Sequence, residues 1–107
     1  MKAWFCDGKT QRQLVSNLRQ AHIVKSPAVQ AVMEAVDRKN YMAEGYDRNP
    51  YADSPQAIAK GQTISAPHMH SYALEEVLPY LLKRQKDILK SGDTTHPIKI
   101  LDVGCGR

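Results

Sequence analysis

The sequence predicts an α/β chain in which N-terminal helices lead into the first strand of a parallel sheet. Three observations carry this expectation. Residues 11–22 and 27–38 repeat apolar side chains at helical spacing behind recognisable start signals. Residues 98–103, Ile-Lys-Ile-Leu-Asp-Val, form a short apolar run of strand length. That run feeds directly into Gly104-Cys105-Gly106, a glycine turn of the kind that joins a strand to a helix N-terminus. With 107 residues the chain holds one domain at most, since domains run to about 100–200 residues.

Each element has a local cause. Thr10-Gln11-Arg12-Gln13 fits a capping box, and Leu14, Val15, Leu18, Ala21 and His22 follow at helical spacing, so a first helix is expected over about 11–22. Ser26-Pro27 places a capping hydroxyl before a proline suited to the first helical position. Val29, Val32, Met33 and Val36 then mark a second helix ending near Arg38-Lys39, where cations suit the helix dipole. Residues 43–57 hold Asn-Pro and Ser-Pro turn signals, and Tyr46 and Tyr51 would anchor this loop. Gln62-Thr63-Ile64 favours a short extended run. Ser65-Ala66-Pro67 then opens a third helix whose apolar face is Met69, Ala73, Val77, Leu78, Leu81 and Leu82. Pro79 falls inside that pattern and should kink or split the helix. Residues 91–97 read as an exposed connection, and 98–103 as a strand.

Charge and cysteine content narrow the function classes. Fifteen basic residues against eleven acidic ones give a net charge of +4. The densest group, Lys83, Arg84, Lys86 and Lys90, is interrupted by Asp87 and suits the end of a helix, so it makes only a thin case for nucleic-acid binding. Cys6 and Cys105 lie at opposite ends with no metal spacing, which points to reduced thiols and a cytoplasmic setting. No apolar stretch approaches the roughly 20 residues of a membrane span, and the N-terminus lacks the apolar core of a secretory signal.

Two segments carry chemistry. The string Ile98-x-Ile100-Leu101-Asp102-Val103-Gly104-x-Gly106 puts an acid at the end of a strand and glycines in the turn after it. Glycines let the backbone approach a ligand closely, and the following helix N-terminus meets its polar groups. An acid this near the glycines favours S-adenosylmethionine-dependent methyltransferases over dinucleotide enzymes, in which the acid comes much further on. A tight turn without a ligand is the alternative. The second segment, Gly61-Gln62-Thr63-Ile64-Ser65-Ala66-Pro67-His68-Met69-His70, sets Thr63 and Ser65 beside a helix start. By position alone Ser65 is an N-cap hydroxyl. His68 and His70, two apart, do not share a helix face, so they read as helix surface and make no metal site.

Taken together, Pro50 to Ile58, Gln62 to Glu75, Leu101 to Gly106 and the Asp37-Arg38-x-x-Tyr41 string resemble the protein-L-isoaspartate (D-aspartate) O-methyltransferases, with the Thr63-to-His70 string closest to eukaryotic members. The resemblance covers nearly all of the chain outside residues 83–97. It implies the N-terminal portion of a Rossmann-like class I S-adenosylmethionine-dependent methyltransferase: a helical and substrate-loop region over 1–97, then the first core strand and glycine loop over 98–107, with the chain cut inside the cofactor loop. It implies transfer of a methyl group from S-adenosylmethionine to the α-carboxylate of L-isoaspartyl and D-aspartyl residues, with S-adenosylhomocysteine as product and no metal. Ser65 would be the catalytic residue. Gln62, Thr63, Ile64, Ser65, His70, Asp102, Gly104, Cys105 and Gly106 would line the cofactor site, and Asp53, Ser54, Pro55 and Gln56 would form the peptide-binding edge. The sequence departs from that family at Ala59-Lys60-Gly61, at Cys105 in place of a common Ser, and in a more basic 83–97 connection. The expected partners are isoaspartyl peptides and proteins, met by a monomeric enzyme. The 107 residues alone are expected to be inactive. A non-enzymatic module that binds peptides or a partner is the alternative.

Overall fold

The computed structural model describes residues 6–42, 49–92, 95 and 97–105. Its elements in chain order are α1 (Gln11–Gln20), α2 (Pro27–Ala35), a 3-10 turn (Arg38–Tyr41), β1 (Gln56–Ala57), β2 (Thr63–Ile64) and α3 (Pro67–Ser91). The core lies where α1 and α2 meet. Leu14, Val15 and Leu18 of α1 pack with Val29 and Met33 of α2 and with Cys6, Ile23 and Val24; Tyr51, Leu74 and Leu78 close it from outside.

Helix α1 begins as its sequence dictates. Thr10 Oγ1 accepts from the Gln13 N–H at 3.1 Å. Gln13 reaches back to the Lys9 N–H (2.6 Å), one residue before the cap. Gly8 is needed just upstream, because a Cβ there would stand 2.5 Å from the Leu14 nitrogen. The helix stops at Gln20, short of the expected 22. His22 takes a left-handed φ of 61°, and the Ile23 and Val24 N–H groups both donate to the Leu18 carbonyl. This turn sends Ile23 and Val24 into the core.

The start of α2 differs from expectation in its capping partner. Ser26 is the N-cap but makes no cap bond to its own helix. Its hydroxyl donates to Glu75 Oε2 on α3 (2.6 Å), while Glu75 Oε1 accepts from the N–H groups of Lys25 and Ser26, each at 2.8 Å. A carboxylate from a helix distant in sequence thus caps α2, where the helix dipole favours negative charge. Burial alone would raise the Glu75 pKa, but the bonds from Ser26 and Lys25 outweigh it and hold the carboxyl below its ordinary range. Helix α2 ends at Ala35, not at Arg38-Lys39. Asp37 breaks it by accepting from the Lys39 N–H (3.1 Å) and starting the 3-10 turn, and the Tyr51 hydroxyl pins Asp37 at 2.9 Å.

The segment expected to be loop up to residue 57 contributes a strand. β1 pairs antiparallel with β2 in the register Gln56 to Ile64 and Ala57 to Thr63. Tyr46 lies outside the described residues. Of the expected kink or split at Pro79, the split does not occur: helix α3 runs unbroken through Pro79. Pro79 is exposed, so water can serve the carbonyl that its missing N–H leaves unbonded. Only the first half of α3 packs on the core; Tyr80 and Leu89 beyond it are 74% and 70% exposed. The basic residues from Lys83 to Lys90 lie along its exposed end.

The largest departure concerns residues 98–103, which are not a strand. Leu101 and Val103 are 87% and 86% exposed. A strand forms only when a neighbour takes its N–H and C=O groups, and a parallel strand needs both faces covered. No strand among the described residues stands beside 98–103.

Two outcomes test this account. Gly8→Ala should lower stability by about 1–3 kcal/mol through overpacking against backbone, read by denaturant melts of the full-length protein. The stability that Glu75 contributes should be present above the ordinary glutamate pKa of about 4.3 and be lost as pH falls through its lower folded value. Glu75→Gln should therefore flatten the acid limb of a melting-temperature profile, and an unchanged limb would exclude the cap.

Candidate active site

A cleft of about 590 Å3 opens between α2, the 3-10 turn, β2, the first turns of α3 and the glycine turn at 102–105. Val32, Met33 and Val36 give it an apolar side, and Tyr41 closes one edge. Thr63 and Ile64 come in from β2, Ser65 from the link that follows it, His70 from α3, and Asp102, Gly104 and Cys105 from the glycine turn. Two sequence-distant segments that each suggested a site therefore share one cleft. Gly104 has φ 79°, a left-handed conformation that a side chain would strain.

Other expected residues lie elsewhere. Gln62 is not part of the lining; its backbone closes the hairpin by accepting from the Ile58 N–H (2.9 Å). Gly106 lies outside the described residues. Asp53, expected at a peptide-binding edge, is 1% exposed and has almost no surface to offer a peptide. Its Oδ1 accepts from the His68 N–H (2.9 Å) and lies 2.8 Å from His68 Nδ1, while its own N–H donates to Asp7 (2.7 Å). Asp53 thus fastens the start of α3 to the N-terminal segment. Its neighbours Ser54 and Gln56 are half-buried and Pro55 is exposed, with Gln56 Nε2 donating to Ser54 Oγ at 2.8 Å.

The start of α3 corrects two further readings. The N-cap is Ala66 and not Ser65, and no side chain caps the helix. The Ser65 hydroxyl is therefore not spent on α3; Ser65 is exposed and lines the cleft. His68 is half-buried against Asp53, with Tyr72 edge-on at 6.3 Å between ring centroids, so it is no ordinary surface residue. His70 is exposed as a residue, yet its ring stands in the cleft wall. Partial burial first, and the Arg38 charge second, lower its pKa, so the imidazole is neutral at pH 7.

Arg38 is the site residue that sequence reasoning missed. It looked like a helix-terminal cation, but it is 5% exposed and lines the cleft. Its Nη1 donates to the Ser65 carbonyl at 2.7 Å and its Nη2 to the Ser54 carbonyl at 2.9 Å. Desolvation lowers its pKa to about 10 against the opposing pull of Asp53, and it stays charged at neutral pH. The only advance signal was its place in the Asp37-Arg38-x-x-Tyr41 string. Among the described residues no group of three or more His, Cys, Asp or Glu side chains could hold a metal, and no helix is long and apolar enough to cross a membrane.

Comparison with known proteins identifies the family. A crystal structure from Plasmodium falciparum, assigned as a protein-L-isoaspartate O-methyltransferase and bound to S-adenosyl-L-homocysteine, superposes with a TM-score of 0.61 at 35% identity, covering 69% of this chain and 32% of that one. The likeness is thus to a methyltransferase. The family model for Protein-L-isoaspartate(D-aspartate) O-methyltransferase matches residues 9–107, and the chain belongs to that family. Among curated relatives, the protein-L-isoaspartate O-methyltransferase of Triticum aestivum is 37% identical over 99% of this chain, and that of Caenorhabditis elegans is 37% identical over 97%. The chain spans 40% and 39% of the length of those two relatives.

The electrostatics of the cleft are testable directly. In a histidine NMR titration His70 should have its midpoint below the ordinary value of about 6.5. A midpoint at or above that value would contradict the placement of its ring beside Arg38.

Proposed function

We propose that the protein to which these residues belong transfers a methyl group from S-adenosylmethionine to the α-carboxylate of L-isoaspartyl and D-aspartyl residues in damaged proteins. The ester can then close spontaneously to a succinimide and reopen to normal aspartate. The observation that carries this reading is the shared cleft: in a chain of this family, Ser65 and its neighbours face the same space as Asp102 and the glycine turn. In this reading residues 1–97 are the helical and substrate-loop region, and 98–107 the first core strand and glycine loop, of one Rossmann-like domain. A cytoplasmic compartment belongs to this reading, since Cys6 and Cys105 lack the spacing of a disulfide framework or metal site.

The residues present fit the cofactor. Asp102 offers a carboxylate for the ammonium of its amino-acid end, and the left-handed Gly104 turn has open space where a side chain would stand. When bound, S-adenosylmethionine supplies a sulfonium methyl open to attack. The substrate carboxylate is already a nucleophile at pH 7. One of its oxygens forms the new O–C bond while the methyl–sulfur bond breaks and sulfur keeps the electron pair. The protein then has to orient the reactants and exclude water. Ser65 is suited to orienting the carboxylate by donating a hydrogen bond. The apolar wall of Val32, Met33 and Val36 desolvates the site. His70 lines the cleft as a neutral imidazole beside the Arg38 cation. Ser54, Pro55 and Gln56 provide the edge for the peptide.

Residues 98–105 leave Ile100, Leu101 and Val103 largely exposed, so the 107 residues by themselves are expected not to turn over. The decisive assay is transfer of labelled methyl from S-adenosylmethionine to an isoaspartyl peptide by the full-length protein, against the aspartyl peptide as control. Labelling of the isoaspartyl peptide alone is expected, and equal or absent labelling of the two would end the proposal. Ser65→Ala should lower kcat about 10–100-fold, the value of one hydrogen bond to a charged group of about 1.5–3 kcal/mol.

A further inference from the structure

We propose that Arg38 is a positioning residue for this transfer: its guanidinium sets the distance between the peptide-binding edge at Ser54 and the catalytic hydroxyl at Ser65 by holding both backbone carbonyls at once. The inference rests on the function proposed above, and the argument is geometric. Among the described residues the Arg38 side chain is the one group that donates hydrogen bonds to both segments, at 2.7 Å to Ser65 and 2.9 Å to Ser54. Its own backbone is fixed in turn. The Arg38 N–H donates to Gln11 Oε1 (3.2 Å), and Gln11 Nε2 donates to the Met33 carbonyl (2.7 Å), which ties the 3-10 turn to α1 and α2. The guanidinium therefore transmits the position of the two-helix core to Ser65 in the cleft and to the neighbouring segment at Ser54.

With its carbonyl pinned, Ser65 has little freedom beyond rotation of its side chain. On the C-terminal side the chain is pinned again, where His68 donates to Asp53. Ser65 thus sits between two fixed points, one set by Arg38 and the other by the residue just before Ser54. A buried cation without a carboxylate bonded to it is costly, and Arg38 Nε has no hydrogen-bond partner. Holding two carbonyls from separate segments is a task for a planar fork with several fixed N–H donors. A lysine ammonium is a single point on a flexible stem and cannot reproduce that geometry.

The test compares wild type and Arg38→Lys as full-length proteins, below the melting temperature of both, with rates normalised to the fraction that binds S-adenosylhomocysteine. Arg38→Lys should lower kcat for an isoaspartyl peptide by about tenfold or more, since a misplacement near 1 Å can cost about a hundredfold. Its affinity for S-adenosylhomocysteine should stay within about threefold of wild type. A merely architectural arginine would instead lower the folded fraction and leave normalised kcat unchanged, and normalised kcat within twofold of wild type would overturn the inference. If Arg38→Lys does not fold, Arg38→Gln, which keeps a planar amide donor, is measured the same way; failure of both to fold would also overturn it. A wild type that does not methylate the peptide overturns the proposed function and this role with it, whereas an active wild type beside an unimpaired variant removes only the role of Arg38.

Discussion

The cleft depends on one buried guanidinium. Arg38 leaves the 3-10 turn and donates to carbonyls in two segments that the sequence separates, and neither segment is held by regular secondary structure at that point. β1 and β2 are two residues each, too short to fix the surrounding chain by ladder bonds alone. Side-chain bonds to the backbone supply that order instead: Arg38 to Ser54 and Ser65, Asp53 to His68, and Asp7 to Asp53. The placement of the site is thus polar, while the stability of the body that carries it is apolar.

The apolar body is small. It consists of α1, α2, the turn between them and the first half of α3. Glu75 joins α3 to α2 through three hydrogen bonds from Lys25 and Ser26, so the helix bearing His68 and His70 cannot shift without uncapping its neighbour. Beyond Leu78 the face of α3 and the run at 98–103 are mostly solvent-exposed. Both carry exposed apolar side chains, and 98–103 has the pattern of a strand with no neighbouring strand among the described residues.

Much of the fold was legible in the sequence where short-range physics decides. The Thr10 cap and the spacing of Leu14, Val15 and Leu18 gave α1, and Pro27 with Val29 and Met33 gave α2. The ends were less legible, because they were set by partners distant in sequence. Ser26 turned outward to Glu75, and Asp37, held by Tyr51, stopped α2 early. The hairpin pairing Gln56 with Ile64 was hidden because each strand is two residues long and leaves no period to read. In the site, Thr63, Ile64, Ser65, His70, Asp102, Gly104 and Cys105 were all named from motifs and all line the cleft. Arg38 was read as a helix-terminal cation, since burial of a charge depends on which carbonyls close around it.

By itself, the sequence determined the helix starts, the apolar stripes, the glycine turn and the resemblance to a methyltransferase family. These follow from propensity, periodicity and motif, which act over a few residues. Only the tertiary structure decided that Ser65 does not cap α3, that Asp53 is buried beneath the site, and that residues 98–103 stand without a sheet. It also showed that one arginine joins the segments at Ser54 and Ser65. Each of these is a question of which partner satisfies a hydrogen-bonding group, and the partners lie between 15 and 50 residues away in the chain.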